Sequence, residues 1–457
     1  MKRKFEMDEI IRYCNQYGFI FQGSELYGGL ANTWDYGPLG TRLKNNIKDA
    51  WRYYFIQSRE NSYELDSDIL MNPTVWEASG HLAGFTDPLL DCKGCKTRHR
   101  ADNLINEYNS TMNADSMSQE EMMIYIREHK VPCPKCGKSN FTDIRQFNLM
   151  FATQRGVTQD STNTIYLRPE NAQGEYVNYL NVLRTMRAKL PFSIGQIGKA
   201  FRNEITPGNY TFRTIEFEQM EFQTFCKHGT DSEIYEFYKN YGIRFFEYLG
   251  LSRENLRFHN HEKLAHYAKE ACDIEYLFPF GWGEINGTHN RTDFDITRHQ
   301  QYSGKPMDYY DEITGEKYIP YITESTYGLD RIFLALLFEN LHEEEITEND
   351  TRIVLNIAPK LAPIKANILP LIKKKHSNQA TKIYHLLQKL MMVSYDESGS
   401  IGKRYRRGDA IGVPFAITID DNTIENNLVT VRHRDTMEQE TISIENLPDY
   451  LIVQLEK

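Results

Sequence analysis

The stretch from Leu190 to Phe225 constrains the fold most, because it predicts two adjacent strands that carry charged residues on shared faces. Two β-prone runs, Phe192 to Glu204 and Tyr210 to Phe225, flank a segment of residues 206–209 whose Pro and Gly are typical of a turn. Strand side chains alternate between faces, so Arg202 and Glu204 share one face of the first strand. The residues that share a face of the second strand are Arg213, Ile215, Phe217, Gln219 and Glu221.

These side chains indicate either a ligand site or an ordinary solvated sheet face. An arginine, an aromatic ring and a carboxylate on one face can hold a phosphate, a purine and an ammonium group together. The alternative is an antiparallel sheet whose outer face is salt-bridged and solvated. The pattern of this stretch alone leaves both interpretations open.

Length and charge limit the class of protein. A chain of 457 residues with 40% hydrophobic content can bury a large core and predicts two or three domains of mixed helix and strand. A formal net charge of −10 means that the protein as a whole does not attract nucleic acid, so binding of such a partner needs a local basic surface. Residues 1–10 lack an apolar signal core, and no run is long enough to cross a bilayer. We therefore expect a cytoplasmic protein.

Four of the seven cysteines form two C-x-x-C pairs, which predicts a metal site. Cys92 and Cys95 make the first pair, and Cys133 and Cys136 make the second. Two thiolates at this spacing can bind one tetrahedral ion from the same turn, so we expect structural zinc; free surface thiols are the alternative. Four protein ligands leave no open position for chemistry. The charged, helix-prone segment of residues 102–130 between the pairs predicts a helical hairpin over the metal.

Two further regions show patterns with alternative explanations. Pro38 can open a helix whose apolar residues recur at every fourth position, which predicts either core packing or a subunit interface. That apolar stripe comprises Leu39, Leu43, Ile47, Trp51 and Phe55. Near the C-terminus, we expect helices at Ala366 to Lys375 and Ala380 to Met391, and strands at Val413 to Ile419 and Leu428 to His433.

Between those C-terminal elements lies a basic run, which comprises Lys403, Arg404, Arg406 and Arg407 around Tyr405. No acidic residue occurs from Gly399 to Gly408. A basic run with an aromatic residue suits unstacked bases and phosphates, and a solvated charge run is the alternative.

Several strings together resemble motifs of class II aminoacyl-tRNA synthetases. Phe201-Arg202-Asn203-Glu204, then Arg213 with Phe217, and finally Gly328 with Arg331 before an apolar helix resemble motifs 2 and 3. The Pro73 segment resembles motif 1, which forms the dimer interface in that class. Within the class, the chain is similar to the dimeric glycyl-tRNA synthetases through longer strings, which are TWDYGPLG at 33–40, MNPTVWEASGH at 71–81, FRNEITPGN at 201–209, FEQME at 217–221 and GKRYRRGDAIGVPF at 402–415.

The resemblance implies an α+β fold with an antiparallel catalytic sheet of six or seven strands flanked by helices. We expect this catalytic domain over residues 1–90 and 146–345, and the cysteine-bearing insertion over 91–145. A C-terminal anticodon-binding domain of mixed α/β structure is expected over residues 350–457. The implied partners are glycine, ATP with Mg²⁺, tRNA(Gly) and a second copy of the chain.

The resemblance also implies the reaction and its residues. Such an enzyme activates glycine with ATP to glycyl-adenylate and then transfers the glycyl group to tRNA. Arg202, Glu204 and Arg331 are the implied catalytic residues, with Arg202 on the α-phosphate and Glu204 on the adenine amino group. Phe217 is expected to stack on the base and Glu284 to hold magnesium. The implied ATP-binding residues are Arg202, Asn203, Glu204, Phe212, Arg213, Thr214, Ile215, Glu216, Phe217, Glu284, Ile285, Gly328, Leu329, Asp330 and Arg331.

Glycine has no side chain, so the family recognises its ammonium, its carboxylate and its small size. Glu170, Glu221 and Glu324 are implied around the ammonium, and Arg291 is implied at the carboxylate. The full implied set is Arg100, Glu170, Phe217, Glu218, Gln219, Met220, Glu221, Arg291, Glu324, Ser325, Thr326, Tyr327 and Gly328. Because every competitor is larger than glycine, no editing domain is expected. Lys403, Arg404, Arg406 and Arg407 are the implied anticodon contacts.

Two residues differ from the usual sequence pattern of the family. Thr326 stands where a serine is usual, and Asn171 stands where a threonine is usual. Both keep hydrogen-bonding ability, so we expect at most altered kinetics. Two other functions compete with glycine activation. One is a non-catalytic, nucleic-acid-binding relative, which should have lost the ATP arginines; the other is a class II synthetase for serine, threonine or proline.

Overall fold

A computed structural model describes residues 2–109, 111–112, 114, 117–157, 163–204, 208–261, 264, 268–348 and 350–456. The helices, in chain order, are α1 (Met7–Tyr17), α2 (Pro38–Trp51), α3 (Pro73–Ala78), α4 (His81–Gly84), α5 (Ala101–Tyr108), α6 (Gln119–Glu128), α7 (Ala172–Val177), α8 (Tyr179–Thr185), α9 (Asp231–Leu249), α10 (Phe294–Ser303), α11 (Leu329–Asn340), α12 (Lys373–Leu387), α13 (Ile401–Ala410), α14 (Asp421–Asn426) and α15 (Leu447–Glu456). Within these described segments, no helix is long and apolar enough to span a bilayer.

The strands of the first 300 residues, in chain order, are β1 (Lys2–Lys4), β2 (Ile20–Gln22), β3 (Trp34–Tyr36), β4 (Ser62–Glu64), β5 (Thr86–Asp91), β6 (Arg98–Arg100), β7 (Arg145–Asn148), β8 (Ala152–Gln154), β9 (Thr164–Tyr166), β10 (Phe192–Phe201), β11 (Glu216–Cys226), β12 (Leu256–Asn260), β13 (Glu270–Phe278) and β14 (Gly281–Thr292). Those that follow are β15 (Tyr309–Tyr310), β16 (Lys317–Tyr318), β17 (Tyr321–Gly328), β18 (Leu341–Thr347), β19 (Asp350–Leu355), β20 (Ala366–Pro370), β21 (Val393–Tyr395), β22 (Phe415–Ile419), β23 (Leu428–His433) and β24 (Gln439–Ser443). The mixed helix and strand content that the sequence predicts is therefore confirmed.

A seven-stranded sheet organises the larger part of the molecule. Its strand order is β12-β13-β14-β17-β11-β10-β4, and all neighbours are antiparallel except β10 with β4. The two strands predicted from the stretch at 190–225 are its members β10 and β11, paired from Phe192 opposite Phe225 to Phe201 opposite Glu216. Both strands are shorter than predicted, because the ladder ends at Phe201 and a 3₁₀ turn occupies Tyr210–Phe212. Thr206 and Pro207 of the predicted turn lie outside the described residues.

One face of this sheet packs on the main hydrophobic core. Met220 and Phe222 of β11 are fully buried there, against Trp51 and Phe55. Helix α2 begins with Pro38 at its first turn, and a π-helical turn, Arg52–Gln57, continues it. The apolar stripe of α2 therefore packs in the core, since Leu43, Ile47, Trp51 and Phe55 are all inaccessible to solvent. Burial of side chains of this size contributes about 1.5–3 kcal/mol each.

The insertion has a small core of its own. Strands β6, β5 and β7 form a three-stranded sheet, and helices α5 and α6 pack beside it. Its buried residues include Leu90, Leu104, Ile105, Met122 and Ile126. Helix α6 starts with a capping box, because Ser118 accepts from the amide of Glu121 while the Glu121 carboxylate accepts from the Ser118 amide. These helices match the predicted helical hairpin between the cysteine pairs.

The C-terminal region forms a five-stranded sheet of order β21-β20-β22-β23-β24 with a separate core. Both strands predicted there, at Val413–Ile419 and Leu428–His433, correspond to β22 and β23. The helix predicted over Ala366 to Lys375 is wrong: Ala366–Pro370 is the interior strand β20, which lies between β21 and β22, and its five residues are all buried. The helix there begins at Lys373 and runs through most of the second predicted helix.

Candidate active site

A cavity of about 210 Å³ lies on the face of the seven-stranded sheet opposite the main core. Strand register brings its residues together from distant parts of the chain. Gly287, Thr326 and Glu221 lie side by side across β14, β17 and β11. Two positions along each strand, His289 lies beside Glu324 and Glu324 lies beside Gln223. Because side chains alternate, these rows face the cavity while Met220, Phe222 and Tyr327 pack into the core.

Two arginines line one end of the cavity without a carboxylate partner. Among the residues that the structure describes, neither Arg202 nor Arg213 makes an ion pair within 4 Å, whereas other arginines of the cavity do. The Arg202 guanidinium lies between the rings of Phe85 and Phe217, 5.3 Å from each centroid. Its Nε donates to the carbonyl of Pro169 at 3.1 Å. Unpaired guanidinium groups aimed into a cavity provide a site for phosphate oxygens.

Arg331, at the start of α11, forms the next part of the wall. Its guanidinium lies 4.4 Å from the centroid of the Phe212 ring, and its Nε donates to the Phe212 carbonyl at 3.0 Å. Its Nη1 lies 3.1 Å from Oε2 of Glu284. The Glu284 side chain is 48% exposed at this end of the cavity; partial desolvation would raise its pKa, but Arg331 and Arg202 outweigh it and lower that pKa. Glu284 therefore provides an ionised carboxylate beside the arginine-lined end.

Asp330 and Glu218 belong to a buried ion network at the rim. Asp330 accepts from Lys44 Nζ at 2.8 Å, from the Tyr36 hydroxyl at 2.5 Å and from the backbone amide of Glu218 at 2.8 Å. Glu218 forms ion pairs with Lys44 and Lys48. The four groups neutralise each other, so this network fixes the position of α11 against β11 and offers little net charge to a ligand.

The opposite end of the cavity is lined by carboxylates. Glu324 Oε2 accepts from His289 Nδ1 at 2.9 Å and from Arg291 Nη1 at 3.0 Å, and its Oε1 accepts from Gln223 at 3.2 Å. Burial alone would raise the pKa of Glu324, but Arg291 and His289 outweigh it and lower that pKa to about 2. Arg291 is also bound to Asp295 through Nε at 2.7 Å and Nη2 at 3.0 Å. Arg291 therefore holds Glu324 in place.

Glu170 is the second ionised carboxylate of this end. Its Oε2 lies 3.4 Å from His81 Nε2, and its Oε1 accepts from Gln173 at 2.9 Å. Burial alone would raise the pKa of Glu170, but His81 and then Arg291 outweigh it and lower that pKa. The Asn171 amide donates to the carbonyls of Gly198 at 3.1 Å and of Gln219 at 3.2 Å, so it anchors the segment that carries Glu170.

Glu221 behaves in the opposite way. It is 1% exposed, and burial followed by the charges of Glu324 and Glu170 raises its pKa well above the usual value. Glu175 is fully buried nearby, and burial, Glu221 and Glu324 raise its pKa in the same way. Both Glu175 oxygens lack a hydrogen-bond partner among the described residues. Two neutral carboxylic acids thus lie beside two ionised ones, and a cation in the cavity would favour ionisation of Glu221.

Not every residue implied by the family lines this cavity. Those outside its lining are Asn203, Ile215, Glu216, Leu329, Arg100, Met220, Ser325 and Tyr327. Met220, Tyr327 and Leu329 are core residues, and Arg100 is paired with Asp87 at 2.9 Å and with Asp102 at 2.6 Å. The cavity also contains Thr211, Gly287 and His289, which the sequence did not single out. The period of two along β14 from Ile285 to Arg291 would have found Gly287 and His289.

The four cysteines of the two C-x-x-C pairs converge as predicted. The atoms Sγ of Cys92, Cys95, Cys133 and Cys136 lie within 4.8 Å of one another. Both C-x-x-C pairs adopt the same turn. The residue after the second cysteine, Lys96 or Gly137, has a positive φ, and its amide donates to the carbonyl of the first cysteine at 2.8 Å. Sγ separations of 3.6 Å for Cys92–Cys136 and 3.7 Å for Cys95–Cys133 are too long for a disulfide. Hydrogen bonds with Thr97 lower the pKa of Cys95 to about 6, which favours the thiolate that a metal requires.

The basic run forms helix α13, and its four cations differ in environment. Lys403 is exposed, whereas Arg406 and Arg407 pair with Asp350 at 2.7 Å and Asp396 at 2.5 Å. The expectation that Arg404 contacts an anticodon does not fit its position. Arg404 is 4% exposed and donates to the carbonyls of Pro370 at 2.7 Å and Gly399 at 3.1 Å. Its role in the fold is to hold α13 against the end of β20.

Comparison with known proteins identifies two family models along the chain. The model described as tRNA synthetase class II core domain (G, H, P, S and T) matches residues 151–340. The model described as Anticodon binding domain matches residues 361–454. Together these matches agree with the seven-stranded sheet and with the separate C-terminal sheet.

Curated relatives match over nearly the full length. The chain is 55% identical to a glycine--tRNA ligase of Alkaliphilus oremlandii, with 97% of each chain covered. It is 54% identical to that of Caldanaerobacter subterraneus and 53% identical to that of Clostridium acetobutylicum, with 99% of each chain covered. Among solved structures, the prolyl-tRNA synthetase of Cryptosporidium parvum with L-proline and AMP matches with a TM-score of 0.62 at 15% identity, covering 98% of this chain and 78% of that one. That structural match shows the fold alone.

Proposed function

The chain belongs to the glycine--tRNA ligase family of class II synthetases, and from this premise we propose how its cavity activates glycine with ATP and charges tRNA(Gly). One observation carries the assignment of the cavity. Arginines without carboxylate partners in the described structure line one end, and ionised carboxylates line the other. The arginine-lined end suits a triphosphate, and the carboxylate-lined end suits an ammonium group. ATP and an amino acid, bound together, present both groups to the cavity.

Arg202 is the residue that we assign to the α-phosphate. In the first step, a glycine carboxylate oxygen attacks the α-phosphorus, and the bond from phosphorus to the pyrophosphate oxygen breaks. Negative charge grows on the phosphate oxygens during this step. The Arg202 fork, held between Phe85 and Phe217 and tied to Pro169, is positioned in advance for that charge. Preorganised cations of this kind typically contribute about 10²–10³ in rate.

We assign the remaining arginines and the aromatic residues to the rest of ATP. Arg213 and Arg331 are placed to bind the other phosphates and one face of adenine, and Phe217 to stack on the other face. One Glu204 oxygen is buried without a partner among the described residues, which supports its proposed bond to the adenine amino group. Mg²⁺ on the phosphates would screen their charge, and Glu284 is the acid that fits it, because it is ionised and lines the cavity.

We assign the ammonium of glycine to Glu170, Glu221 and Glu324. All three line the cavity, and two of them are ionised without a ligand. Arg291 is saturated by acids, so its proposed contribution is to orient Glu324 and not to bind the glycine carboxylate directly. Thr326, which replaces the usual serine, lines the same end and keeps a hydroxyl there. In the second step, the terminal ribose hydroxyl of tRNA attacks the glycyl carbonyl and AMP leaves.

We propose a structural role for the insertion and a tRNA-binding role for the C-terminal region. Four thiolate donors in tetrahedral reach fit structural zinc, and the donor set leaves no position for chemistry. The domains are assigned as residues 1–90 and 146–345, 91–145 and 350–457. Lys403, Arg406 and Arg407 are assigned to the anticodon stem-loop, and Arg404 to the support of α13. The protein is placed in the cytoplasm, where its tRNA partner is charged.

We also propose that the chain acts as a homodimer. The apolar stripe of α2 is buried in the core, so a dimer interface would use other apolar residues. Leu26, Tyr27 and Leu30 are 87%, 88% and 56% exposed on the loop before α2. Exposed apolar residues this close in sequence are typical of a subunit contact. Light scattering should give twice the mass of one chain, and the triple change to Ser should release monomers.

Pyrophosphate exchange tests the proposed activity. Purified protein should exchange labelled pyrophosphate into ATP with glycine, and not with alanine, serine, threonine or proline. The variant Arg202→Ala, purified and assayed in the same way, should lose the exchange activity and remain folded. A folded protein that exchanges with no amino acid would support the accessory-subunit function, and exchange with serine, threonine or proline would support another class II specificity.

A further inference from the structure

The two ionised carboxylates at the carboxylate-lined end of the cavity share a feature that Glu221 lacks. Each has a histidine from a different structural element beside it: Nδ1 of His289, in β14, lies 2.9 Å from Glu324, and Nε2 of His81, in α4, lies 3.4 Å from Glu170. Both pairs are shielded, with side-chain exposures of 23% and 6% for His289 and Glu324, and of 12% and 16% for His81 and Glu170. Among the described residues, Glu221 has no such histidine, and it accepts from the amide of Gln223 at 3.4 Å.

The surroundings of His81 fix its ring. Ser79 Oγ lies 2.8 Å from His81 Nδ1, and this contact leaves Nε2 facing Glu170 at 3.4 Å. The ring packs edge-on against Trp76 and Phe85, at centroid distances of 5.7 and 5.3 Å. The Phe85 ring also contacts the Arg202 guanidinium, which lies 5.3 Å from the ring centroid. The position of Glu170 is thereby linked to that of the proposed phosphate-binding arginine.

His289 is fixed by the sheet itself. It faces the cavity directly beside Glu324 across β14 and β17, and its Nδ1 bonds Glu324 Oε2 at 2.9 Å. Gly287, two positions earlier, leaves room for the ring, because a Cβ there would lie 3.0 Å from His289 Cε1. A side chain at position 287 would require the imidazole to shift by a few tenths of an ångström.

We propose that His81 and His289 are positioning residues that hold Glu170 and Glu324 in the orientation that binds the ammonium of the amino acid. The proposal rests on the function proposed above. The choice of histidine has a physical reason. An imidazole ring donates to the carboxylate through one N–H and has few rotatable bonds, so it fixes the carboxylate in one orientation more firmly than a long lysine or arginine side chain would. Both histidines act through the carboxylates and do not touch the reacting atoms.

Matched substitutions separate hydrogen bonding from mere space filling. His289 bonds Glu324 through Nδ1, a position that the Asn amide imitates, and His81 faces Glu170 through Nε2, a position that the Gln amide imitates. We expect His289→Leu and His81→Leu to raise the KM for glycine in pyrophosphate exchange about 10- to 100-fold, the range for a lost bond to a charged group, with the KM for ATP unchanged. His289→Asn and His81→Gln should recover the glycine KM to within about threefold of the wild type.

The control is His259→Leu, on an exposed histidine of β12 outside the cavity. It should leave both KM values at the wild-type level. The proposal is overturned if the Leu variants keep the wild-type glycine KM, if Asn and Gln are no better than Leu, or if the KM for ATP rises in parallel. Exchange by the wild type is measured first, and its absence would refute the proposed function instead of this inference. Tryptophan fluorescence checks that each variant is folded.

Discussion

Replacement of Glu221 and of Glu324 by Gln separates two carboxylates that line the same cavity. Glu221 is neutral in the empty site, because burial and the charges of Glu324 and Glu170 raise its pKa. At about pH 4, where Glu221 is also largely protonated in the unfolded chain, Glu221→Gln exchanges one neutral group for another of nearly the same shape, which should change the free energy of unfolding by less than about 1 kcal/mol. The ammonium of glycine loses a charged partner, so the KM for glycine should rise about tenfold or more.

Glu324→Gln has a different cost. Glu324 is ionised and accepts from His289, Arg291 and Gln223, so its neutralisation breaks a buried ion pair. Loss of one partner from such a pair costs about 3–5 kcal/mol. Arg291 keeps its two bonds to Asp295, which places the expected loss near the lower end, about 3 kcal/mol. The glycine KM should rise in this variant as well.

Urea denaturation followed by tryptophan fluorescence measures both effects. The four tryptophans, at positions 34, 51, 76 and 282, all lie N-terminal to the C-terminal sheet. Their emission therefore reports the unfolding of the part that holds the cavity. Equal destabilisation by the two substitutions, or a greater loss from Glu221→Gln, would refute the assignment of a neutral Glu221.

The pH dependence of the same comparison gives a second test. A carboxyl with a raised pKa is protonated in the folded protein at pH values where the unfolded chain, with a pKa of about 4.3, is ionised. Unfolding then releases a proton, so the wild type loses up to about 1.4 kcal/mol of stability per pH unit as pH rises above about 4.3. The Gln variant lacks this loss, while Glu175 keeps its burial and the charge of Glu324 in both proteins. Glu221→Gln should therefore gain on the wild type between about pH 5 and pH 8; a constant difference across that range would contradict the pKa shift.

Three other predictions follow from the arrangement of charges and ligands. Arg202→Lys should lower kcat for glycine-dependent exchange about 10²–10³-fold, because the planar fork is lost, and a decrease of under threefold would contradict the assigned role. Metal analysis should give one zinc per chain, and the double change Cys133→Ser with Cys136→Ser should remove it; intact zinc in that variant would exclude the four-thiolate site. Lys403→Ala with Arg407→Ala should raise the KM for tRNA in aminoacylation and leave pyrophosphate exchange unchanged, and equal loss in both assays would argue against a contact limited to tRNA.

The sequence predicts the faces of strands better than it predicts their neighbours. The period of two correctly places Phe217, Gln219 and Glu221 on one face of β11. It carries no information on register, so the adjacency of Glu221 with Thr326, about a hundred residues later, appears only in the folded sheet. His289 was missed for the same reason, since its importance depends on its neighbour Glu324.

The errors in the C-terminal region have a different cause. Strand β20 is buried on both faces, and its residues, Ala-Asn-Ile-Leu-Pro, do not alternate between apolar and polar. Periodicity cannot distinguish such a strand from a segment of buried helix. Arg404 shows a second limit, because a basic residue in a basic run gives no sign that its guanidinium binds backbone carbonyls inside the fold. Composition identifies the helix that carries the charges, but burial decides which of them can reach a partner.

The preference for the smallest amino acid follows from what lines the carboxylate end. Around Glu170, Glu221 and Glu324, the remaining lining residues are polar or lack a side chain, as at Gly287. A methyl group on the substrate would desolvate the carboxylates that hold its ammonium. Thr326, which lies beside Glu221 and Gly287 in the central row, carries a methyl group that reduces the space further. Discrimination here therefore depends on the cost of placing any side chain among ionised groups, and a shaped apolar pocket is not needed for it.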